Sequence, residues 1–250
     1  CHMGSPGQGG YFSPWSIEPL IDADVAQDTY LTDYLTDCAV DLIDHVGAQP
    51  FFLNLWYYSV HTPIQAKAED IARYTDKAKR LGLDRFETFL EGEYFPCEHK
   101  KGQRVRRRLL HSDPVYAAMI DSLDENVGRV LDALERNGKA QDTIVLFTSD
   151  NGGLATSEGS PTCNAPLAEG KGWMYEGGTR EPLIVRWPRR IAAGSTCSVP
   201  VTSPDFYPTL LDAAGLPPRP KQHVDGQSLL PLLRGDGAID RDAIFWHYPH

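Results

Sequence analysis

The sequence contains no run of about 18 apolar residues, the length a helix needs to cross a bilayer, so no transmembrane segment is expected. It has no Cys-x-x-Cys pair. Its five cysteines, Cys1, Cys38, Cys97, Cys163 and Cys197, are odd in number and widely spaced. That excludes a zinc ribbon or a thioredoxin-type site and leaves disulfides and redox compartment undecided. No Gly-x-Ser-x-Gly elbow and no His-Glu-x-x-His occur, and Ser149-Asp150-Asn151 lacks the Ser-x-x-Lys and Lys-Thr-Gly partners of a β-lactamase. Positive charge is scarce: 24 Lys and Arg against 34 Asp and Glu give a net charge of −10. Such a balance argues against general affinity for nucleic acid or anionic membranes. The opening Cys-His-Met-Gly-Ser-Pro-Gly reads as neither a signal peptide nor a natural start, so the lack of a leader says nothing about secretion.

What is present suits a globular α/β chain. The 250 residues, 41% of them apolar, can bury a substantial core. Residues 1–20 are rich in Gly, Pro and Ser and read as loop. Leu31, Leu35, Leu42, Ile43 and Val46 predict a helix over Thr29–Val46 that Gly47 ends. Phe51–Tyr58 is a nearly continuous apolar run, predicting a strand buried on both faces. Residues 62–114 are mixed and predict short helices and an insert. Val115–Arg136 predicts a long helix, with Pro114 near its start and Asn137-Gly138 at its end. Thr143–Thr148 and Pro182–Trp187 predict further strands, and Asp205–Ala214 a helix opened by Ser203-Pro204. Strands alternating with amphipathic helices imply a mostly parallel sheet covered on both sides.

Sites in open α/β sheets gather beyond the carboxyl ends of strands. His61 follows the first strand, in Ser59-Val60-His61-Thr62-Pro63, where it is either a structural histidine or an acid–base and anion-binding group. Asp150 and Asn151 follow the second strand and precede Gly152-Gly153; they form either an ordinary Asp-Asn-Gly turn or two oxygen ligands for a hard cation. Lys171 lies between glycines in Glu169-Gly170-Lys171-Gly172-Trp173, as an exposed loop lysine or as a cation brought close to an anion. This is no Walker loop, since Ala165 and Gly172 stand where Gly and Ser or Thr are required. The run Lys100, Lys101, Arg104, Arg106, Arg107 and Arg108 is a solvated loop or insert, or a patch for polyanions such as sulfated glycans.

Several segments in order resemble sulfatases of the alkaline phosphatase superfamily. These are Tyr30-Leu31-Thr32-Asp33, Pro50-Phe51-Phe52-Leu53 with His61-Thr62-Pro63, Tyr116-Ala117-Ala118-Met119-Ile120-Asp121, and Phe147-Thr148-Ser149-Asp150-Asn151-Gly152-Gly153. Gly170-Lys171-Gly172-Trp173, Glu176-Gly177-Gly178, Pro182-Leu183-Ile184-Val185 and Asp205-Phe206-Tyr207-Pro208-Thr209-Leu210 follow. The resemblance runs over about residues 30–250 and is weakest over 64–112. It implies a three-layer α/β sandwich about a large mixed, mostly parallel sheet. Residues 1–215 would then form the C-terminal portion of the catalytic domain and 216–250 the start of a smaller subdomain.

The resemblance implies hydrolysis of sulfate esters, sulfated sugars being the favoured substrate class. It assigns Asp150 and Asn151 to a Ca²⁺ site, with Mg²⁺ less favoured, and places His61 and Lys171 on the sulfate and bridging oxygens. His2-Met3-Gly4 is similar to the end of a family Gly-Lys-Trp-His-Leu-Gly element, which would make His2 a catalytic residue that helps release sulfate; the alternative is a tag residue. One departure is plain: no Cys-x-Pro-Ser-Arg motif for a formylglycine nucleophile surrounds any cysteine here, and the first metal-binding aspartates are absent too, so both are expected upstream. The 250 residues alone are therefore expected to be inactive. A phosphomonoester or phosphonate-ester hydrolase and a non-catalytic sulfated-glycan-binding relative are the competing expectations. Secreted, periplasmic or lysosomal location follows only from the resemblance.

Overall fold

The computed structural model describes residues 10–17, 20 and 24–247. His2 lies outside them. The chain divides into two compact units, Cys1–Gly138 with Ser149–Glu181, and Lys139–Thr148 with Pro182–His250.

In the first unit, helix α1 (Leu31–His45) and helix α2 (Ala68–Leu81) both pack on α3 (Pro114–Arg136). Asp113 caps α3 by accepting from the backbone N–H groups of Val115 and Tyr116, and Pro114 fits the first turn, where no N–H partner is needed. Tyr11, Trp15, Tyr30, Leu31, Ala66, Ala118 and Met119 form the core. Between α1 and α3 the seam is polar. Asn126, fully buried, donates to Asp33 and to the Ser122 carbonyl and accepts from Arg129, which also pairs with Asp37. The buried face of α1 is accordingly Leu31, Thr32, Thr36, Ala39 and Ile43, while Leu42, expected inside, is 39% exposed.

Residues 62–114 hold, besides α2, a hairpin of β1 (Phe89–Tyr94) and β2 (Arg104–Arg108), antiparallel, with Phe89 opposite Arg108 and Glu91 opposite Arg106. In the second unit β3 (Val145–Thr148) pairs antiparallel with β4 (Leu183–Arg186). The remaining helices are α4 (Glu176–Thr179) in the first unit and α5 (Phe206–Ala213) and α6 (Leu230–Arg234) in the second.

One strand expectation needs correction. Phe51–Tyr58 joins no ladder among the described residues, and its even positions Phe52 and Trp56 are 73% and 67% exposed. A continuous apolar run demands cover on two faces, and the described residues supply it on one. Both described ladders are antiparallel, and no parallel pair occurs among the described residues. Strand–helix alternation signals mixed α/β content but does not fix which strands pair.

Candidate active site

The site grows from three loops of the first unit. The first carries His61. The Tyr11 hydroxyl donates to the carbonyls of Tyr58 (2.6 Å) and His61 (2.9 Å), clamping the backbone on which the imidazole is mounted. Burial raises the Tyr11 phenol well above its ordinary value, so it stays a neutral donor. His61 Nδ1 lies 2.9 Å from the Thr62 carbonyl, which can only accept. The hydrogen therefore sits on Nδ1, and in the neutral ring Nε2 is left as an acceptor. Thr62 in turn donates its hydroxyl to Glu158 at 2.9 Å.

The second and third loops, 149–153 and 164–178, pack backbone on backbone. The Gly152 N–H donates to the Gly178 carbonyl at 3.3 Å, and the Lys171 N–H to the Gly153 carbonyl at 3.1 Å. A Cβ at Gly152 would overlap the Gly177 carbonyl oxygen, and one at Gly170 the Gly153 carbonyl oxygen. Glycine is required at these two positions for close approach of chain to chain. The result is a fixed mount for Lys171, whose Nζ stands 2.7 Å from His61 Nε2. The ammonium donates and the imidazole accepts, which matches the tautomer set by Thr62. An acceptor-rich anion entering here would meet the lysine charge directly, with the histidine beside it.

Asp150 and Asn151 follow β3 in the chain. Asn151 Nδ2 donates to the Gly152 carbonyl at 3.1 Å. Asp150 is exposed. Beside it lies Glu181, whose Oε1 is buried with no hydrogen-bond partner, and whose carboxyl is pushed up to about 7 by burial and then by the charge of Asp150. Carboxylates with an amide oxygen nearby are hard oxygen donors, of a kind that suits a divalent cation. They are only part of a shell: among the described residues no group of three or more His, Cys, Asp or Glu gathers as a metal cluster.

Of the residues singled out from sequence, His61 and Lys171 thus touch, and Lys171 is tied by its backbone to the loop of Asp150 and Asn151. Sequence reasoning missed Tyr11, Thr62, Glu158 and Glu181. Tyr11 sits in a stretch whose Gly and Pro content announced only loop, and no local pattern marks a buried, unpartnered glutamate. Val105 is fully buried, Arg107 Nε donates to Glu169 at 2.9 Å, and Arg108 bonds Ser112 at 2.6 Å and the Ser160 carbonyl.

A family model described as Sulfatase matches residues 5–216. A sulfatase of Formosa agariphila is 36% identical over 252 residues, covering 95% of this chain and 39% of that protein. The steryl-sulfatase of Homo sapiens is 34% identical over 247 residues, covering 95% of this chain and 36% of the human protein. Among solved structures, Ps i-CgsB in complex with k-i-k-neocarrahexaose matches at a TM-score of 0.64 and 33% identity, over 85% of this chain and 40% of that one. A second structure, solved with its substrate D-glucosamine-2-N,6-O-disulfate, matches at a TM-score of 0.60 and 20% identity, over 90% of this chain and 57% of that one; this is a likeness of fold. The chain spans less than two-fifths of the length of these curated relatives.

Proposed function

The chain belongs to the sulfatase family, and from that premise we propose that the protein hydrolyses sulfate esters, with Lys171 and His61 gripping the ester group. The observation that carries this is the 2.7 Å approach of Lys171 Nζ to His61 Nε2 in a mount of glycines. Lys171 would balance the sulfate charge. Because Nδ1–H is held on the Thr62 carbonyl, Nε2 is the atom of His61 that, protonated from solvent, would give that proton to the departing oxygen. Asp150 and Asn151 would hold a divalent cation, Ca²⁺ in preference to Mg²⁺. When bound, that ion would supply charge neutralisation and orientation at the sulfate. His2 is carried in the same reading as a group that helps release sulfate. The formylglycine nucleophile and further acidic ligands are not supplied by these 250 residues.

The same reading makes the fold a three-layer α/β sandwich with a large, mostly parallel sheet, in which residues 216–250 open a smaller subdomain. Sulfated sugars are the preferred substrate class, supported by the saccharide bound in the solved structure of Ps i-CgsB.

The test is turnover of 4-nitrophenyl sulfate by the full-length protein. Lys171→Ala and His61→Ala should each lower kcat/KM by about 100-fold or more while the fold survives. Wild-type activity matched by both variants would sink the assignment, and a strong preference for 4-nitrophenyl phosphate would move it to phosphoester hydrolysis.

A further inference from the structure

Six of the chain's 24 Lys and Arg lie within residues 100–108, with no acidic residue among them, in a protein of net charge −10. The β1–β2 hairpin sorts these cations onto two sides. Val105 and Arg107 face the body of the first unit: Val105 is fully buried, and Arg107 reaches Glu169, two residues before Lys171, and Glu93. Arg104 and Arg106 alternate with them and are exposed. Neither forms an ion pair among the described residues. Instead Arg104 lies over the Tyr94 ring (4.7 Å) and Arg106 over the Phe89 ring (3.6 Å). Lys100 is likewise held over Phe95 at 5.1 Å. Glu91 stands opposite Arg106 in the register.

The hairpin is fastened to the loops of the active site. Phe95 packs on Trp173, two residues beyond Lys171, at 5.9 Å between ring centroids. The Arg108 N–H donates to the Ala155 carbonyl at 3.0 Å, in the loop that continues to Glu158. Cations held over rings and without carboxylate partners among the described residues, on a hairpin tied to a second cationic centre, suit repeated anionic groups on a chain-like ligand.

We propose that the outer face of the β1–β2 hairpin, with Arg104, Arg106 and Lys100, is a second anion subsite that takes a further sulfate group of a polysulfated saccharide whose reacting ester lies at Lys171 and His61. This rests on the function proposed above for that centre.

The 250-residue chain is titrated with a heparin hexasaccharide, a glucosamine 6-sulfate monosaccharide and a single-stranded oligonucleotide of equal charge. The hexasaccharide should bind tightest, and its affinity should fall as salt rises. Arg104→Glu/Arg106→Glu should weaken it by about tenfold or more, whereas Lys79→Glu/Arg80→Glu on α2, an equal change of charge, should weaken it by less than about threefold. Arg106→Gln serves if the double variant misfolds, with an expected loss of about threefold. Equal losses for the two double variants, or an oligonucleotide bound as tightly as the hexasaccharide, would overturn the subsite. Turnover of 4-nitrophenyl sulfate by the full-length protein reports separately on the catalytic reading, since that small ester reaches only the first centre.

Discussion

Glu181 and Asp205 both withdraw a carboxylate from solvent, and the protein treats them oppositely. Asp205, in the second unit, is fully buried and fully answered. Arg241 grips both of its oxygens, and the backbone N–H groups of Thr202 (2.8 Å) and Gln227 (2.9 Å) donate to it. Burial alone would raise its pKa, but the donors of Arg241, Gln227 and Thr202 together pull it below the ordinary value. Around it, Thr209 donates to the Asp205 carbonyl and accepts from the Leu229 N–H, joining α5 to the start of α6. Glu181, in the first unit, has an oxygen with no donor and a second carboxylate beside it. A charge whose donors are all present serves the fold, while one whose donors are missing marks a place for a ligand.

The comparison breaks first at Asp205. Asp205→Ala would strand the Arg241 guanidinium, which should destabilise the protein by about 3–5 kcal/mol, the cost typical of removing one partner from a buried pair. Urea unfolding measures it; a loss below about 1 kcal/mol would put Asp205 in the same class as Glu181. The pH dependence has a definite sign. Because the folded pKa is depressed, this contribution is present above about pH 4, near the ordinary aspartate value of 3.8, and is lost as pH falls through the folded value.

Much of this contrast was illegible in the sequence. Local punctuation was readable: Pro114 at the start of α3, the glycine after α1, and Ser203-Pro204 before α5 all mark element ends through backbone chemistry confined to a few residues. Lys171 was readable from its flanking glycines and His61 from its place after an apolar run, but their meeting spans 110 residues of chain. Their supports, Tyr11 under the His61 backbone and Glu158 behind Thr62, come from loops whose composition carries no periodicity. Hydrophobic pattern found Leu31 and Ile43 on the buried face of α1 but put Leu42 inside and passed over Thr36, which bonds Tyr57 there instead of packing apolar surface. Strand pairing stayed hidden for a plainer reason: a run of apolar residues states how many faces are covered and not by which neighbour.

Next in size is the glycine mount, which separates the site's rigidity from its charge. Gly152→Ala should drive the 149–153 loop off the Gly177 carbonyl and lower sulfate-ester turnover by about 100-fold, because a shift of about 1 Å at positioned groups costs that much. The comparison is Gly138→Ala at the end of α3. Its φ of 66° strains an alanine, but a Cβ there meets nothing within 4 Å, so stability should fall by about 1 kcal/mol with turnover retained. Full activity in Gly152→Ala, assayed with 4-nitrophenyl sulfate, would mean that Lys171 and Asn151 need no fixed spacing.

The smallest effect is the most discriminating, since it runs in the direction opposite to Asp205→Ala. Glu181→Gln removes a charge that burial and Asp150 both oppose, so it should stabilise the protein at neutral pH. The side chain is partly exposed, and solvent screening holds the gain to about 1 kcal/mol, a few degrees in Tm. Here the folded carboxyl titrates at about 7 against an ordinary 4.5, so the native state binds the extra proton. Its favourable contribution is complete below pH 4.5 and is lost as pH rises through 7. The Tm of Glu181→Gln should therefore match wild type near pH 4.5 and exceed it at pH 8, and in the full-length protein Ca²⁺ should narrow the gap by relieving the same repulsion at Asp150. A variant less stable than wild type at pH 8 would show that Glu181 has a donor after all, and the opposition between the two carboxylates would disappear.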